Sequence, residues 1–217
     1  MNKLLDYFKK LTDIEVKRFI LIFYAVGLAG FLIPATRFLF EALIPVSVLL
    51  NLFLIMLFHK PFDGKHVFLF LGVVAFTYGV EAIGTKTGLL FGSYYYGSSL
   101  GVKVFETPLL IGVNWLVLAY GATAIVRSVN ALKRWVPFSA SALMVLFDVF
   151  LEPVAIKTEM WGWAWNKVPM QNYLMWFVVG VIVVGIFELL NIKTIKPVAA
   201  RLFWVQAVFF LLLSFLL

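Results

Sequence analysis

Seven long apolar runs constrain the fold of this chain more than any other feature of its sequence. Each run is close to the ~20 residues that an α-helix needs to cross a bilayer, and a spanning helix satisfies its own backbone hydrogen bonds. With 63% hydrophobic and 13% charged residues, the composition is far from that of a soluble domain. We therefore predict an all-α polytopic membrane protein, a bundle of about seven transmembrane helices. The runs cover approximately 19–36, 38–58, 66–84, 107–126, 135–156, 169–190 and 199–217.

The chain before the first run has a different pattern. Apolar residues recur at helical spacing in 1–18, with lysines and an arginine on the other faces, which is typical of an amphipathic helix in the membrane interface. We predict two parts, this interfacial segment (1–18) and a single seven-helix transmembrane domain (19–217). Only the Pro34-Ala35-Thr36-Arg37 sequence separates the first two runs, so these are expected to form a tight antiparallel pair.

Basic residues indicate the orientation of the bundle. With the N-terminus inside, 13 of the 18 Lys and Arg residues fall on the inner side of the seven runs and 5 on the outer side. This predicts a cytoplasmic N-terminus and an outer C-terminus for a multi-pass protein of the cell membrane. Topology also explains the net charge of +7, which therefore does not indicate nucleic-acid binding. The chain has no cysteine, which excludes thiolate metal sites and haem attachment through Cys.

Two carboxylates interrupt the fifth run. Asp148 and Glu152 are four residues apart and share one helix face, and no Lys or Arg lies between Arg134 and Lys157 to neutralise them. An ionisable residue inside a bilayer segment costs about 2.5–3.5 kcal/mol on insertion scales and usually marks a functional interior. A structural alternative is a polar pair bonded to the backbone or to Arg37.

The predicted orientation brings further polar residues to the outer side of the bundle. Five different helices contribute them, so they are expected to converge on one site under the outer connections 85–106 and 157–168. The residues are Glu41, Glu81, Asn114, Asp148, Glu152, Gln171 and Asn172. At the inner ends, His59 and His66 lie away from the acids, which argues against a histidine metal site. Glu188 is expected to form an interfacial ion pair with nearby Lys193.

Both outer connections are rich in aromatic residues. Tyr94 and Tyr96 share a face if their segment is extended, and Trp161, Trp163 and Trp165 also alternate. An aromatic belt at the membrane surface explains such residues, and this is the favoured interpretation for Trp165. The functional alternative is a set of rings that stabilises a positively charged intermediate.

Four motifs in order identify a family. They are the Glu81 to Tyr96 run, the Pro108 to Tyr120 run with Asn114-Trp115, the Asp148 to Ala155 run, and Pro169-Met-Gln-Asn-Tyr-Leu-Met-Trp-Phe177. Together they resemble the CruF-type carotenoid biosynthesis proteins, membrane hydratases of carotenoid ψ end groups, over about the middle half of the chain. The resemblance implies a lyase whose partners are a carotenoid, water and membrane lipid.

The implied reaction is addition of water across the terminal 1,2 (or 1′,2′) double bond of an acyclic carotenoid end. Protonation of C2 leaves a tertiary cation at C1, which water captures, and no cofactor is needed. This requires a carboxylic acid that stays protonated in an apolar bundle. We assign Asp148 as the proton donor, with Glu81 as the alternative acid. Around them, Glu152 and Asn172 are expected to place the water, Tyr94, Tyr96, Trp161 and Trp163 to face the cation, and Asn114 and Trp115 to contact substrate.

Three other functions share some of these features. A carotene cyclase uses the same protonation but quenches the cation internally, in a drier pocket. A prenyltransferase-like enzyme binds Mg²⁺ and diphosphate through Asp148 and Glu152, but usually has a second acidic cluster. A proton-coupled transporter also holds carboxylates in a bundle, although the chain shows no inverted repeat.

Overall fold

The computed structural model of the protein describes residues 13–61, 63–194 and 196–217. These residues form eight α-helices, one 3₁₀-helix and four short strands. The helices are α1 (Asp13–Leu32), α2 (Pro34–Ala42), α3 (Ile44–Phe58), α4 (Gly64–Thr87), α5 (Leu110–Ser128), α6 (Val136–Lys157), α7 (Met170–Leu189) and α8 (Lys196–Leu216), with the 3₁₀-helix at Asn130–Trp135. The strands are β1 (Tyr94–Tyr96), β2 (Lys103–Val104), β3 (Thr107–Pro108) and β4 (Trp161–Trp163).

Local chemistry sets several helix boundaries. Prolines occupy the first turn of α2, α3 and α6, where their missing N–H group needs no partner. Asp63 caps α4 by accepting a hydrogen bond from the backbone N–H of His66 at 3.1 Å. At the other end of α4, Gly88 has a φ of 67°, a left-handed conformation that glycine adopts readily.

Among the described residues, five helices are long and apolar enough to cross a membrane, and a sixth crossing is obtained if α2 and α3, bent by 54°, count as one span. The predicted number of seven is therefore not confirmed. The helix α1 has 20 residues, but Glu15, Lys17 and Arg18 lie within its first two turns, which leaves a shorter apolar segment.

The prediction that residues 34–37 form the turn between the first two helices is wrong. These residues form the first turn of α2, and the chain breaks instead at Ile33 and Leu43, one residue on each side of α2. Of the predicted interfacial segment, residues 1–12 lie outside the described residues, and α1 runs without interruption through 18 and 19. The division into 1–18 and 19–217 stays a prediction.

The helix α5 lies at the centre of the bundle. It packs against α3, α4, α6, α7 and α8, and it is the most buried of the candidate spans. Gly112 permits the contact with α4, because a Cβ there would lie 2.4 Å from the carbonyl oxygen of Val74. Gly121 permits the contact with α8, because a Cβ there would lie 3.0 Å from the Cβ atom of Phe203. Small residues at such crossings are the usual basis of close helix packing in membranes.

A side-chain network joins the helices at the end of the bundle that is predicted to be the inner one. Glu188 forms its ion pair with Arg127, at 2.6 Å, and not with the neighbouring Lys193 as predicted. Arg127 also donates to the carbonyl oxygen of Ile192, so it ties α5 to the end of α7. His59 contacts the Tyr120 hydroxyl at 2.7 Å.

Candidate active site at the outer end of the bundle

The connections 85–106 and 157–168, both predicted to lie on the outer side, meet in a small antiparallel sheet. Strand β1 pairs with β4 so that Tyr94 lies opposite Trp163 and Tyr96 opposite Trp161. Because side chains alternate along a strand, these four rings share the face that covers the helix ends. On the other face, a Cβ on Gly162 would lie 2.6 Å from the hydroxyl of Tyr95, so a larger residue at this position would require the exposed Tyr95 side chain to move.

One half of the site is built around Glu81, near the end of α4. Its Oε2 atom accepts hydrogen bonds from the Tyr94 hydroxyl at 2.5 Å and the Tyr96 hydroxyl at 2.8 Å. Its Oε1 atom accepts from the indole N–H of Trp115 at 2.8 Å. Burial, with the Glu81 carboxylate as the second cause, raises the pKa of Tyr94 and of Tyr96 above its usual value, so both hydroxyls remain donors.

The other half contains the acid pair of α6. Asn172 bridges the two acids, with its Nδ2 atom 2.8 Å from Asp148 Oδ2 and 3.1 Å from Glu152 Oε1. The indole N–H groups of Trp161 and Trp163 donate to Glu152 Oε2 at 3.0 and 2.9 Å. Asp148 is fully buried, and its Oδ1 atom has no hydrogen-bond partner among the described residues.

The acids have no basic partner in the described part of the chain: none of its Lys or Arg residues forms an ion pair with Glu81, Asp148 or Glu152. The structural alternative that involved Arg37 is wrong, because its guanidinium donates to the carbonyl oxygen of Phe31 at 3.0 Å. Within 13–61, 63–194 and 196–217, no three His, Asp or Glu side chains are grouped so that they could hold a metal ion.

The aromatic rings of the sheet lie against one another. The ring centroids of Tyr94 and Trp163 are 5.3 Å apart, those of Tyr94 and Tyr96 are 5.5 Å apart, and those of Tyr96 and Trp161 are 6.1 Å apart. The indole of Trp115 stacks on that of Trp176 at 4.1 Å. A buried group of electron-rich rings beside carboxylates is a favourable environment for a cation.

Between these halves lies a small cavity of about 20 Å³, enough for one water molecule, which we call the acid chamber. It is lined by Glu81, Phe91, Tyr94, Tyr96, Ile111, Glu152, Trp161, Trp163, Asn172 and Trp176. Of the other predicted residues, Trp115 does not line the chamber but donates a hydrogen bond to Glu81, which does. Asn114 lines the inner cavity, a neighbouring space described below. Asp148, Glu41 and Gln171 do not line the chamber, and Asp148 is joined to it only by the hydrogen bond from Asn172. Trp165 is 89% exposed, and its assignment to an aromatic belt stays a prediction.

Two further spaces adjoin the acid chamber, and a third adjoins one of these. An inner cavity of about 50 Å³ shares Ile111 and Trp161 with the chamber and extends between α1, α3, α6 and α8. A lateral groove of about 460 Å³ adjoins the inner cavity at Tyr24, Phe31, Ile44 and Ser47. A vestibule of about 300 Å³ adjoins the chamber at Trp161 and Trp163 and is lined by Tyr95, Gly97, Ile156, Glu159, Trp161, Gly162, Trp163 and Asn166.

Several residues that line these spaces are not among the predicted site residues. Asn51 and Gln206 are buried polar side chains in the inner cavity, and both fall inside predicted apolar runs. The criterion applied to Asp148, a polar residue within a spanning segment, would have found them. No comparable signal distinguishes Tyr24 or Trp176 from the other aromatic residues of the helices.

Comparison with known proteins supports a functional assignment of this geometry. The family described as carotenoid biosynthesis protein matches residues 43–217. A bisanhydrobacterioruberin hydratase from Haloarcula japonica is 31% identical over 127 residues, which is 52% of this chain and 41% of that protein. The chain thus spans less than half the length of this curated relative. No solved structure matches the chain. The family match covers most of the residues, including every residue of the acid chamber, and the chain therefore belongs to the carotenoid biosynthesis protein family.

Proposed function

We propose that this protein is a carotenoid hydratase, a lyase that adds water across the terminal 1,2 (1′,2′) double bond of an acyclic carotenoid ψ end group. The observation that carries the proposal is the enclosed acid pair beneath aromatic rings, with Asp148 Oδ1 left without a partner. The name of the Haloarcula japonica relative, a hydratase, supports the same reaction class.

Hydrogen bonding supports a division of roles among the three acids. An ionised carboxylate only accepts hydrogen bonds, whereas a protonated one also donates. Both oxygens of Glu81 and both oxygens of Glu152 accept from N–H or O–H groups, which suits ionised carboxylates. Asp148 alone retains a free oxygen, so we assign it as the protonated acid and Glu81 as a fixed negative charge.

The chemical step follows from these roles. The π electrons of the terminal double bond take the proton of Asp148 at C2, which leaves a tertiary cation at C1. The oxygen of a water molecule then bonds to C1, and Glu152 accepts the proton that this water releases. Return of one proton from Glu152 to Asp148 restores the site, and the product is the substrate plus one water, a tertiary alcohol.

The surroundings suit the cation that this step requires. Tyr94, Tyr96, Trp161 and Trp163 present their rings at the acid chamber, and each desolvated cation–ring contact is worth about 2 kcal/mol. Their polar atoms are already used, because the hydroxyls bind Glu81 and the indole N–H groups bind Glu152. The rings are thereby fixed in position before substrate binds, which is the basis of electrostatic preorganisation.

The adjoining spaces give the two reactants separate routes. The groove is lined mainly by apolar side chains and has the volume to bind part of a polyene that arrives from the bilayer. The narrower inner cavity, also mainly apolar, connects it with the acid chamber. The vestibule is lined in part by Glu159, Asn166 and backbone groups, which suits water from the outer surface. We propose that the polyene reaches the acids from the membrane side and water reaches them through the vestibule.

This arrangement requires the two outer connections to lie on the same side of the membrane. We propose that the N-terminus is cytoplasmic, that α1 and the bent α2–α3 pair both cross, and that the protein resides in the cell membrane. Reporter proteins fused after Gly97 and after Lys167 are both expected to be detected outside, because the basic residues lie predominantly at the opposite ends of the helices. A fusion after Arg134 provides the cytoplasmic control. A cytoplasmic signal from either outer fusion contradicts the proposed water route.

Isotope labelling tests the reaction itself. In ¹⁸O-water, membranes that contain the protein and an acyclic carotenoid are expected to form a tertiary alcohol with the label in its new hydroxyl group. Mass spectrometry of the pigment measures this directly. An unlabelled isomer of the substrate would establish a cyclase instead, and an unchanged pigment would favour transport. A requirement for Mg²⁺ with loss of diphosphate would favour a prenyltransferase.

A further inference from the structure

The acid chamber has room for a single small molecule. Its volume of about 20 Å³ holds one water and not two, because each water needs about 10–15 Å³ of cavity space. The end group of the carotenoid comes from the inner cavity, which meets the chamber at Ile111 and Trp161. The attacking water therefore occupies the chamber while C1 lies at this junction. A nucleophile that carries an additional methyl group does not fit.

The walls of the chamber are held in place by buried contacts. The four rings of the β1–β4 sheet donate hydrogen bonds to Glu81 or Glu152, and Asn172 donates to both acids of α6. Trp176, on the helix side, is stacked on Trp115. Widening the chamber at these positions breaks hydrogen bonds or a ring stack and leaves buried polar groups without partners. The folded protein thus maintains the small volume.

Phe91 closes the chamber with a side chain that has no polar atom. The residue is 1% exposed, and its ring rests against α4 at Gly84, where a Cβ would lie 2.6 Å from the ring. It meets the Tyr94 ring edge-on, with centroids 5.9 Å apart. Ile111 also lacks a polar atom but lines the inner cavity too, whereas Phe91 lines only the chamber among the spaces described above. A smaller residue at 91 enlarges the chamber and leaves the acids and the substrate route unchanged.

We infer that the volume of the acid chamber selects water as the nucleophile, and that Phe91 sets this limit, so that a smaller residue at 91 admits an alcohol. This inference rests on the proposed function. In the enlarged chamber the oxygen of methanol bonds to C1, its O–H bond breaks, and Glu152 accepts the proton, as it does from water. The product is the substrate plus one methanol, a tertiary methyl ether. The vestibule does not make the selection, because its volume of about 300 Å³ admits both molecules.

Competition between water and methanol tests the volume limit without any substitution. Membranes that contain the full-length protein and an acyclic carotenoid are incubated in buffer with a fixed fraction of methanol, deuterated in its methyl group. Mass spectrometry of the pigment measures the ratio of ether to alcohol. The parent protein is expected to form about tenfold less ether than the molar ratio of the two solvents predicts, or less still, which is the usual discrimination against one extra methyl-sized group in a pocket.

Substitutions assign the selection to Phe91. Phe91→Ala is expected to raise the ratio of ether to alcohol by about tenfold, and Phe91→Leu, a smaller change, should raise it less. Ethanol and isopropanol should add progressively less than methanol in Phe91→Ala, because the space gained is that of one side chain. Phe187→Leu is the matched control and should keep the parent ratio. Phe187 is also fully buried, but it packs against Tyr120 at the end predicted to be the inner one.

The outcomes separate this inference from the proposed function. Ether formation by the parent protein in proportion to the methanol present overturns the inference and leaves the hydratase proposal intact. An active Phe91 variant with the parent ratio, or an equal rise in Phe187→Leu, has the same meaning. Formation of neither alcohol nor ether by the parent protein contradicts both. Rejection of methanol by the parent protein that is relaxed in either Phe91 variant and kept in Phe187→Leu supports the inference.

Discussion

Replacing Asp148 by asparagine is expected to reduce the rate of tertiary alcohol formation by about 10²–10⁴-fold, the usual contribution of general acid catalysis. The amide keeps the shape of the carboxyl group but has no acidic proton to deliver to C2. Because Asp148 is fully buried and Asn172 bonds only one of its oxygens, an isosteric change should leave the amount of protein in the membrane unchanged. Pigment extraction and mass spectrometry measure the rate, and immunoblotting of the membrane fraction measures the protein.

The matched control for this substitution is Asp63→Asn. Asp63 caps α4 at the inner end of the bundle, and asparagine is an equally good helix cap, so near-normal activity is expected. Activity of Asp148→Asn within a fewfold of the parent protein would move the acid to Glu81, whose oxygens accept from Tyr94, Tyr96 and Trp115. The variant Glu81→Gln would then carry the larger loss.

The sequence alone predicts the acid pair and the rings that cover it, for two physical reasons. Carboxylates are so costly within a bilayer that Asp148 and Glu152 stand out in any apolar run. A spacing of four residues places them on one helix face, and an alternating pattern places Tyr94 and Tyr96 on one strand face. In the structure, Asn172 hydrogen-bonds both acids on their helix face. The strand that carries the tyrosines, β1, pairs with β4, which carries Trp161 and Trp163.

Other features of the structure differ from the prediction. The break at Leu43 divides the second predicted run into α2 and α3, and Pro45 in the first turn of α3 is a local signal for it that the prediction of a continuous apolar run did not use. The partner of Glu188 is Arg127, which is 61 residues away, where proximity along the chain indicated Lys193. Glu81 was predicted as an alternative acid, and only the positions of Tyr94, Tyr96 and Trp115 give it the hydrogen bonds of an ionised carboxylate.

Replacing Glu152 by glutamine is also expected to reduce hydration by about 10²–10⁴-fold, but at the second half of the reaction. The glutamine oxygen can still accept from the indole N–H groups of Trp161 and Trp163, so the aromatic sheet should remain in place. The amide cannot accept the proton that water releases on attack at C1. In this variant Asp148 should still protonate C2 and leave the cation at C1. The cation should then lose a proton, which regenerates the double bond of the substrate.

Deuterium exchange distinguishes this result from loss of the acid. In D₂O, Asp148 carries a deuteron, so a futile protonation of C2 leaves deuterium in the recovered carotenoid whenever the cation loses an original hydrogen instead of the added deuteron. Glu152→Gln is expected to exchange substrate without hydrating it, whereas Asp148→Asn should do neither. Glu106→Gln, an exposed change in the first outer connection, should hydrate normally. Equal loss of exchange in both acid variants would contradict the separate roles, because it would mean that Glu152 is required before the cation forms.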